Sequence, residues 1–516
     1  MTDDMFDADV VVVGYGPAGA MAALLLGRAG VDCLVLDSRS EIYPLPRAVA
    51  ADEEILRLLS AAGLRHAVEE MLPNPGARFV DRRGRTTLSI TLPDSGCGLP
   101  GLALFRQPKL ERHLRAAVAR QDSVRVRLGP EWKAVGISQD TDGATIELAS
   151  GSRLRAKYVV ACDGSSSSIR KMLNVALVRG SFVQHWLVVD TLIDDQTRRP
   201  DWVLWHCDPA QSAVLVPSRE GMRIEVLLDH AAKPGAPVAP ELAAAQVARY
   251  LPDDNARVER AATYTFRAQA AESWRVGRVL LAGDAAHTMP PFAGQGMAAG
   301  LRDVSNLAWK LHLVIAGLAG PELLDTYQAE RTHHLRQMTR LTALAGRLIT
   351  TSSPVGSRVR DLGLRIAGGL PKAGRLLREG RIKPPERLPK GATPSLVPGS
   401  PGGGELIGSP IVTTAASGPI RLDMLRGTSF ALVGVDVDPE SALTDGSQAL
   451  WRRAGARLLT VAADQLPAVP AGSVVIVRPD HFVRDVVSAA DLDAATAAFF
   501  AGDLVTQPDL SLAVAN

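Results

Sequence analysis

Gly14, Gly16 and Gly19, in the segment GYGPAG, stand at GxGxxG spacing directly after the apolar run Ala8 to Val13. Gly14 permits a tight turn, Gly16 lets the backbone approach a pyrophosphate, and Gly19 lets the following helix pack closely on the strand. That helix start offers free N–H groups and the positive end of a dipole to phosphate. A second apolar run, CLVLD, ends on Asp37, where a carboxylate accepts hydrogen bonds from a ribose hydroxyl. The chemistry is dinucleotide binding, and the fingerprint alone does not separate NAD from FAD. A second stretch, LLAGDAAHTMPPFAGQGMAAGLRD (Leu280 to Asp303), sets Asp284 just beyond a strand-like run. The adjacent prolines Pro290 and Pro291 follow, and then a Gly-Gln-Gly helix opening. Each proline locks φ and removes a donor, and the helix start exposes unpaired N–H groups.

The elements that must position these residues are readable in outline. Strand, glycine turn, helix (about Pro17 to Ala29) and strand make a βαβ opening of about thirty residues. Short alternating runs fill Val124 to Leu148, and YVVACDG forms a further strand ending at Gly164. WLVVDTLI, AVLVP and RIEVLL, between Ser181 and Leu228, predict an antiparallel sheet that covers a ligand. Long helices are expected from Met297 to Ile349, then a proline- and glycine-rich connection over Ile382 to Gly404. SFALVGVD, ARLLTVAA and SVVIVRPDHFV are three buried strands of a smaller α/β unit that closes with a helix from about Ala489 to Ala501.

At 516 residues the chain exceeds one hydrophobic core, so two or three domains are expected. With 57 basic and 55 acidic residues the net charge is +2, and no basic tract marks a nucleic-acid surface. The acidic start MTDDMFDAD does not read as a signal peptide, and no apolar run is long enough to span a bilayer. Cys33, Cys97, Cys162 and Cys207 lie far apart, without CxxC or zinc-like spacing. No metal site is expected, and a cytoplasmic protein with reduced thiols is.

Three motifs carry a family resemblance over about residues 8 to 345. CDGSSSSIR (Cys162 to Arg170) and GDAAHTMPPFAGQG (Gly283 to Gly296) resemble the DG and GD motifs of flavin-dependent aromatic hydroxylases of the para-hydroxybenzoate hydroxylase type. They follow the GxGxxG in the family's order. RQPKLERHL (Arg106 to Leu114) resembles the family's flavin-contacting helix, and Pro46 to Ala48 its arginine loop. WLVVDTLID, HCDPAQSAVLVP and HTMPPFAGQGMAAGLRDVSNLAWKL look most like the branch of 3-(3-hydroxyphenyl)propionate and polyketide hydroxylases.

The resemblance implies FAD as the cofactor and NADPH or NADH as a transient co-substrate, with oxygen adding at flavin C4a to form the hydroperoxide that oxidises an aromatic ring. It implies cofactor contacts from Gly14, Gly16, Pro17, Ala18 and Gly19, from Asp37, Ser38 and Arg39, and from Arg47, Gln107 and Asp163. Gly283, Asp284 and Pro291 complete the set with Gly294, Gln295, Gly296, Met297 and Ala298. Asp284 is expected at the ribityl chain and the helix opening at Gly294 to Met297 at the N1–C2 edge of the ring, where negative charge collects on reduction. Many family members have Asn where this chain has Ala298, and Glu where it has Asp37.

The fold expected is α/β. A Rossmann-like FAD-binding domain with a helical extension (1–180 and 270–395) carries an inserted mixed-sheet substrate domain (181–269, with part of 70–105). A thioredoxin-like C-terminal domain without cysteines (396–516) follows, in which dithiol chemistry is excluded. The partners expected are a small aromatic substrate and O2, with neither nucleic acid nor membrane, and a homodimer suits the family. No phenol-activating base is identified; His185, His206 and Asp52 lie in segments that could line the pocket. Baeyer–Villiger oxygen insertion on a polyketide ketone is the alternative chemistry. A halogenase is disfavoured, because WVLWHC does not match WxWxIP. A flavin-containing binding protein without turnover is a third reading.

Overall fold

The computed structural model describes residues 6–44, 47–92, 94, 96–193, 200–229, 238–251, 256–379, 383–389, 403–414 and 416–501. Strand β1 (Ala8–Val13) enters helix α1 (Pro17–Arg28) and returns as β2 (Cys33–Asp37). Helix α2 (Gln107–Val118) precedes β3 (Val124–Leu128), and β4 (Arg153–Ala161) leads to the short helix α3 (Ser168–Met172). Two long strands, β5 (Leu177–Leu192) and β7 (Arg257–Ala271), flank β6 (Gly221–Leu228) in sequence. The chain then forms β8 (Val279–Leu281), helix α4 (Gln295–Ile315) and helix α5 (Thr326–Ile349).

The first sheet runs in the spatial order β8-β4-β1-β2-β3, and these five strands are parallel. Its central strands are near-continuous apolar runs that share one core with α1 and α4; Val10, Val11 and Val12 are fully buried. Register aligns the strand ends, with Val13 beside Leu36 and Ala161, and Ala161 beside Leu281. The carboxyl ends of four neighbouring strands therefore open on Gly14, Asp37, Cys162–Asp163 and Gly283–Asp284. That edge is where open α/β sheets bind ligands.

The second sheet runs from His287–Thr288 through β7, β5 and β6 to the strands Ala213–Pro217, Val203–His206, Gly76–Val80 and Thr86–Thr91. It is antiparallel except where Val203–His206 runs parallel to Gly76–Val80. Alternation divides its faces. Met222, Ile224 and Val226 of β6 pack with Leu187 and Val189 against the helix Pro240–Tyr250, while Arg223, Glu225 and Leu227 lie on the opposite face.

The C-terminal part contains the strands β9 (Ala431–Val435), β10 (Arg457–Val461), β11 (Ser473–Val477) and β12 (Val483–Ser488) in the order β10-β9-β11-β12. β9 is parallel to β10 and antiparallel to β11. Phe430 and Trp451 meet Trp309 and Leu313 of α4 in one apolar cluster. Buried charge ties the same junction: Arg478 Nη2 donates to Glu330 on α5 at 2.7 Å, and Arg57 Nε donates to Asp423 at 2.7 Å. The connection expected over residues 382–404 lies mostly outside the described residues. Its described part is pinned rather than loose, with Glu386 buried against Arg302 and Arg331. Among the described residues, no helix is long and apolar enough to cross a membrane and no group of His, Cys, Asp and Glu is arranged to hold a metal ion.

Candidate active site

The three fingerprint glycines serve different needs. Gly14 has φ +101°, and a Cβ there would lie 2.4 Å from the Cys162 carbonyl oxygen. A Cβ on Gly19 would stand 1.8 Å from the Gly14 oxygen. Both are demanded by the packing of α1, β1 and the turn after β4. Gly16 is different: it is extended at φ −75° and ψ −172°, and a Cβ there would meet nothing within 4 Å. It borders a cavity of about 810 Å³, which also touches Pro17 and Ala18. No side chain caps α1, and Pro17 occupies its first turn, so the open N–H groups remain for an anion. Asp37 accepts from the Tyr15 N–H at 2.7 Å and the Arg39 N–H at 2.8 Å. One bond per oxygen leaves each a lone pair for a ribose hydroxyl. Ser38 and Arg39 line the same end.

Farther along the cavity, Asp163 Oδ2 caps α3 by accepting from Ser168 N (2.7 Å) and Ile169 N (3.1 Å). Its Oδ1 is buried without a hydrogen-bond partner, and the residue lines the cavity. An orphaned buried acceptor is costly, and a cofactor hydroxyl is the group that relieves it. Gln107 Oε1 accepts from the Arg47 N–H (3.2 Å) and the Ala48 N–H (2.8 Å), and its amide donates to Glu111 at 2.7 Å. Gln107 thus holds the arginine loop, while Arg47 stacks over Tyr43, 4.8 Å from its centroid.

Asp284 presents accessible surface yet is ringed by protein, because that surface is the cavity wall. This burial raises its carboxyl above the usual range, against the pull of His287 and Arg47. Such a group gains from hydrogen-bond donors supplied by a bound molecule. Pro291, Gly294, Gly296 and Met297 also face the cavity. Gly294 caps α4 in the left-handed conformation (φ +63°) with no side-chain cap, so this second helix start also opens inward. Gln295 and Ala298 do not line it: Ala298 is fully buried, and the Gln295 amide donates to Asp52 at 3.0 Å. Glycine approach at Gly16, the orphaned Asp163 oxygen and two open helix starts fit an extended dinucleotide such as FAD.

The opposite wall is the face of the second sheet that carries Val188, Arg223, Glu225, Tyr264 and Phe266. Phe292, from the loop after Asp284, sets its ring edge-on to Trp186 at 5.6 Å and Phe182 at 5.9 Å. The proline loop is thereby clamped to the sheet, and Tyr264 and Phe266 supply the aromatic part of the cavity wall. Asp190 pairs with Arg223 through two bonds, at 2.7 and 3.2 Å, and Arg223 Nη1 donates to the Arg47 carbonyl at 2.8 Å. None of the three suggested bases lines the cavity. Asp52 is ion-paired to Arg302 at 2.8 Å and Lys383 at 2.6 Å, His185 Nδ1 bonds the Thr265 hydroxyl, and the His206 ring sits edge-on to Tyr250.

A family model described as FAD binding domain matches residues 7–342, and one described as HcaD C-terminal domain matches 404–470. The 3-(3-hydroxy-phenyl)propionate/3-hydroxycinnamic acid hydroxylase of Mycolicibacterium smegmatis is 34% identical, over 98% of this chain and 90% of its own length. A Burkholderia cenocepacia protein of the same name is 34% identical, over 95% of this chain and 96% of its own. The chain belongs to the family of FAD-dependent aromatic hydroxylases. Its fold matches the flavin-dependent monooxygenase PieE with a TM-score of 0.80 at 21% identity, covering 96% and 99% of the two chains. The anhydrotetracycline hydroxylase OxyS from Streptomyces rimosus gives 0.74 at 25% identity, covering 93% and 96%.

In this hydroxylase a buried polar hub, not visible in the motifs, fixes the cavity-lining turns. Asp303 accepts from the Gly283 N–H (3.1 Å) and Arg331 (3.1 Å), and its other bond joins His287 Nε2 at 2.6 Å. Burial opposes its charge, but His287 and Arg331 prevail and hold the carboxyl below the usual range. Asp52 is held far lower, with Arg302 and Lys383 outweighing its burial. Arg302 spans Asp52, Gln295 and Glu386, and so ties the start of α4 to the strand after the arginine loop. The sequence signal was the pair Arg302–Asp303 directly after the apolar opening MAAGL of the helix: buried charges there need partners.

Proposed function

We propose that this chain uses NADPH or NADH and O2 to add one hydroxyl group to a phenolic or polyketide aromatic ring. The observation that carries this reading is the single cavity running from the GxGxxG turn, past Asp163 and Asp284, to the aromatic face of the second sheet. Bound FAD supplies the two-electron reduction and the activation of oxygen. The protein's part is positional. The α1 start and Gly16 receive the pyrophosphate, Asp37 the ribose, and Asp163 and Asp284 the ribityl hydroxyls. The α4 start favours negative charge on the reduced ring, and the cavity wall of Val188, Tyr264 and Phe266 excludes water and holds the aromatic substrate. Of the other residues proposed to contact the cofactor, Ser38, Arg39, Arg47, Gln107 and Gly283 line the cleft, while Gly19, Gln295 and Ala298 support it through packing or hydrogen bonding.

The chain's similarity to relatives named as aromatic hydroxylases favours ring hydroxylation over Baeyer–Villiger insertion. The division into an FAD domain, an inserted substrate sheet and a C-terminal domain is part of the reading, and so are a homodimer and a cytoplasmic location. The strand order β10-β9-β11-β12, with β11 antiparallel to its neighbours, supports a thioredoxin-like C-terminal domain that works through packing. The test is NADH and NADPH oxidation by the FAD-loaded protein with 3-(3-hydroxyphenyl)propionate, 3-hydroxycinnamate or anhydrotetracycline, followed by product mass. A phenol that accelerates oxidation and returns heavier by one oxygen on an intact ring supports the reading. A lactone product, or no phenol-dependent oxidation, refutes it.

A further inference from the structure

Glu225 is a carboxylate without an evident structural task. It lies on β6 between Val188 of β5 and Val214 of the strand Ala213–Pro217, on the face that forms the cavity wall. Its ion-pair partner is Arg223 at 3.7 Å, beyond hydrogen-bond distance. Arg223 already holds Asp190 through two bonds and the Arg47 carbonyl through a third, so Glu225 is not needed to neutralise it. The charged groups around it are Arg223 on its own strand, Asp190 on β5 and Arg260 on β7. Tyr264 and Phe266 of β7 line the same cavity. A buried carboxylate kept at an aromatic wall, with its oxygens left to the cavity, fits a polar group brought in by the ligand.

We propose that Glu225 is the base that takes the proton of the substrate's ring hydroxyl. This rests on the functional reading above and names the group that reading leaves open. In the step, the phenol O–H bond breaks and a new O–H bond forms on the Glu225 carboxylate. No electrons change hands, and the ring is left as the electron-rich phenolate. After oxygen transfer the substituted ring carbon releases its hydrogen to solvent as a proton, and Glu225 returns its own proton to the phenolate oxygen. Arg223, locked by Asp190 and the arginine loop, fixes the strand position from which Glu225 acts.

Burial raises the Glu225 carboxyl above the usual range, Arg223 opposes this, and Asp190 adds to it. A base works only when ionised, so hydroxylation rises with pH through that raised value. The experiment compares wild type with Glu225→Gln and Glu225→Asp, FAD-loaded, on whichever of the three named phenols wild type hydroxylates. Expected for Glu225→Gln is a kcat about 100-fold lower with KM changed only a few-fold, together with more hydrogen peroxide per NAD(P)H consumed. Its acid limb disappears, and activity rises only toward the free phenol's own ionisation near about 10. Glu225→Asp keeps the acid limb at reduced kcat, which a purely structural role would not predict. It also serves as the test if the Gln variant fails to fold. An unchanged kcat, coupling and pH profile in Glu225→Gln, or a folded Glu225→Asp without the limb, overturns the assignment while leaving the hydroxylase reading intact. If wild type hydroxylates none of the phenols, the functional reading falls first and this one with it.

Discussion

Gly16→Ala separates cofactor binding from folding. At Gly16 the backbone is extended and a Cβ meets nothing within 4 Å, so the apoprotein has room for a methyl group. Two small terms act on apo stability. Loss of unfolded-state freedom favours Ala by about 0.4–1 kcal/mol. Ala is also a poorer N-cap than Gly, by a comparable amount on the order of 1 kcal/mol or less. The apo melting curve should therefore coincide with wild type. The added methyl instead occupies space at the cavity beside the α1 start, where the pyrophosphate is proposed to bind. Losing one charge-assisted hydrogen bond costs about 1.5–3 kcal/mol, which is roughly a 10- to 150-fold weaker FAD affinity. Gly19→Ala is the control, since its Cβ would overlap the Gly14 carbonyl at 1.8 Å and should destabilise the apoprotein itself. FAD titration by flavin fluorescence, with apo denaturation in urea, reads both quantities. Gly16→Ala that binds FAD as wild type does, or that loses apo stability as Gly19→Ala does, would refute the assignment of this space to the pyrophosphate.

Asp163→Asn keeps one oxygen for the α3 cap and replaces the orphaned acceptor by a donor. Apo stability should change by under about 1 kcal/mol, while FAD affinity falls about tenfold in the same titration. Asp303→Asn removes one of the two carboxylates paired with buried Arg331, Glu386 being the other, and urea denaturation should show a loss of about 3 kcal/mol. Asp52 and Asp303 both have carboxyls held below their ordinary value of about 4. Their stabilisation is present above that value and disappears as pH falls through the lower folded one, so the melting temperature should decline from pH 5 toward pH 3. A melting temperature flat over that interval would show that the hub is not charged as described.

Much of the cofactor cleft was legible in the chain because it is made by local turns. GxGxxG between strand and helix, Asp37 at a strand end, and the Asp-Gly and Gly-Asp motifs each encode a short loop whose backbone conformation follows from a few residues. Parallel pairing then had only to bring four strand ends side by side. The helix Gln107–Val118 was readable too, although the role of Gln107 in holding the Arg47 loop depends on a residue 60 positions away.

The sequence determined the residue types, the turn chemistry and the period of each strand, since those are properties of neighbours along the chain. Alternation in GMRIEVLL already put Glu225 and Arg223 on the face opposite Met222, Ile224 and Val226. Only the tertiary structure decided which face meets the cavity, because that depends on the helix Pro240–Tyr250 covering one side and Phe292 closing on the other. The same holds for Asp52, which the sequence offered as a possible base and the fold consumes as the partner of Arg302 and Lys383. A buried charge takes its meaning from the groups packed around it, and those are assembled from segments hundreds of residues apart.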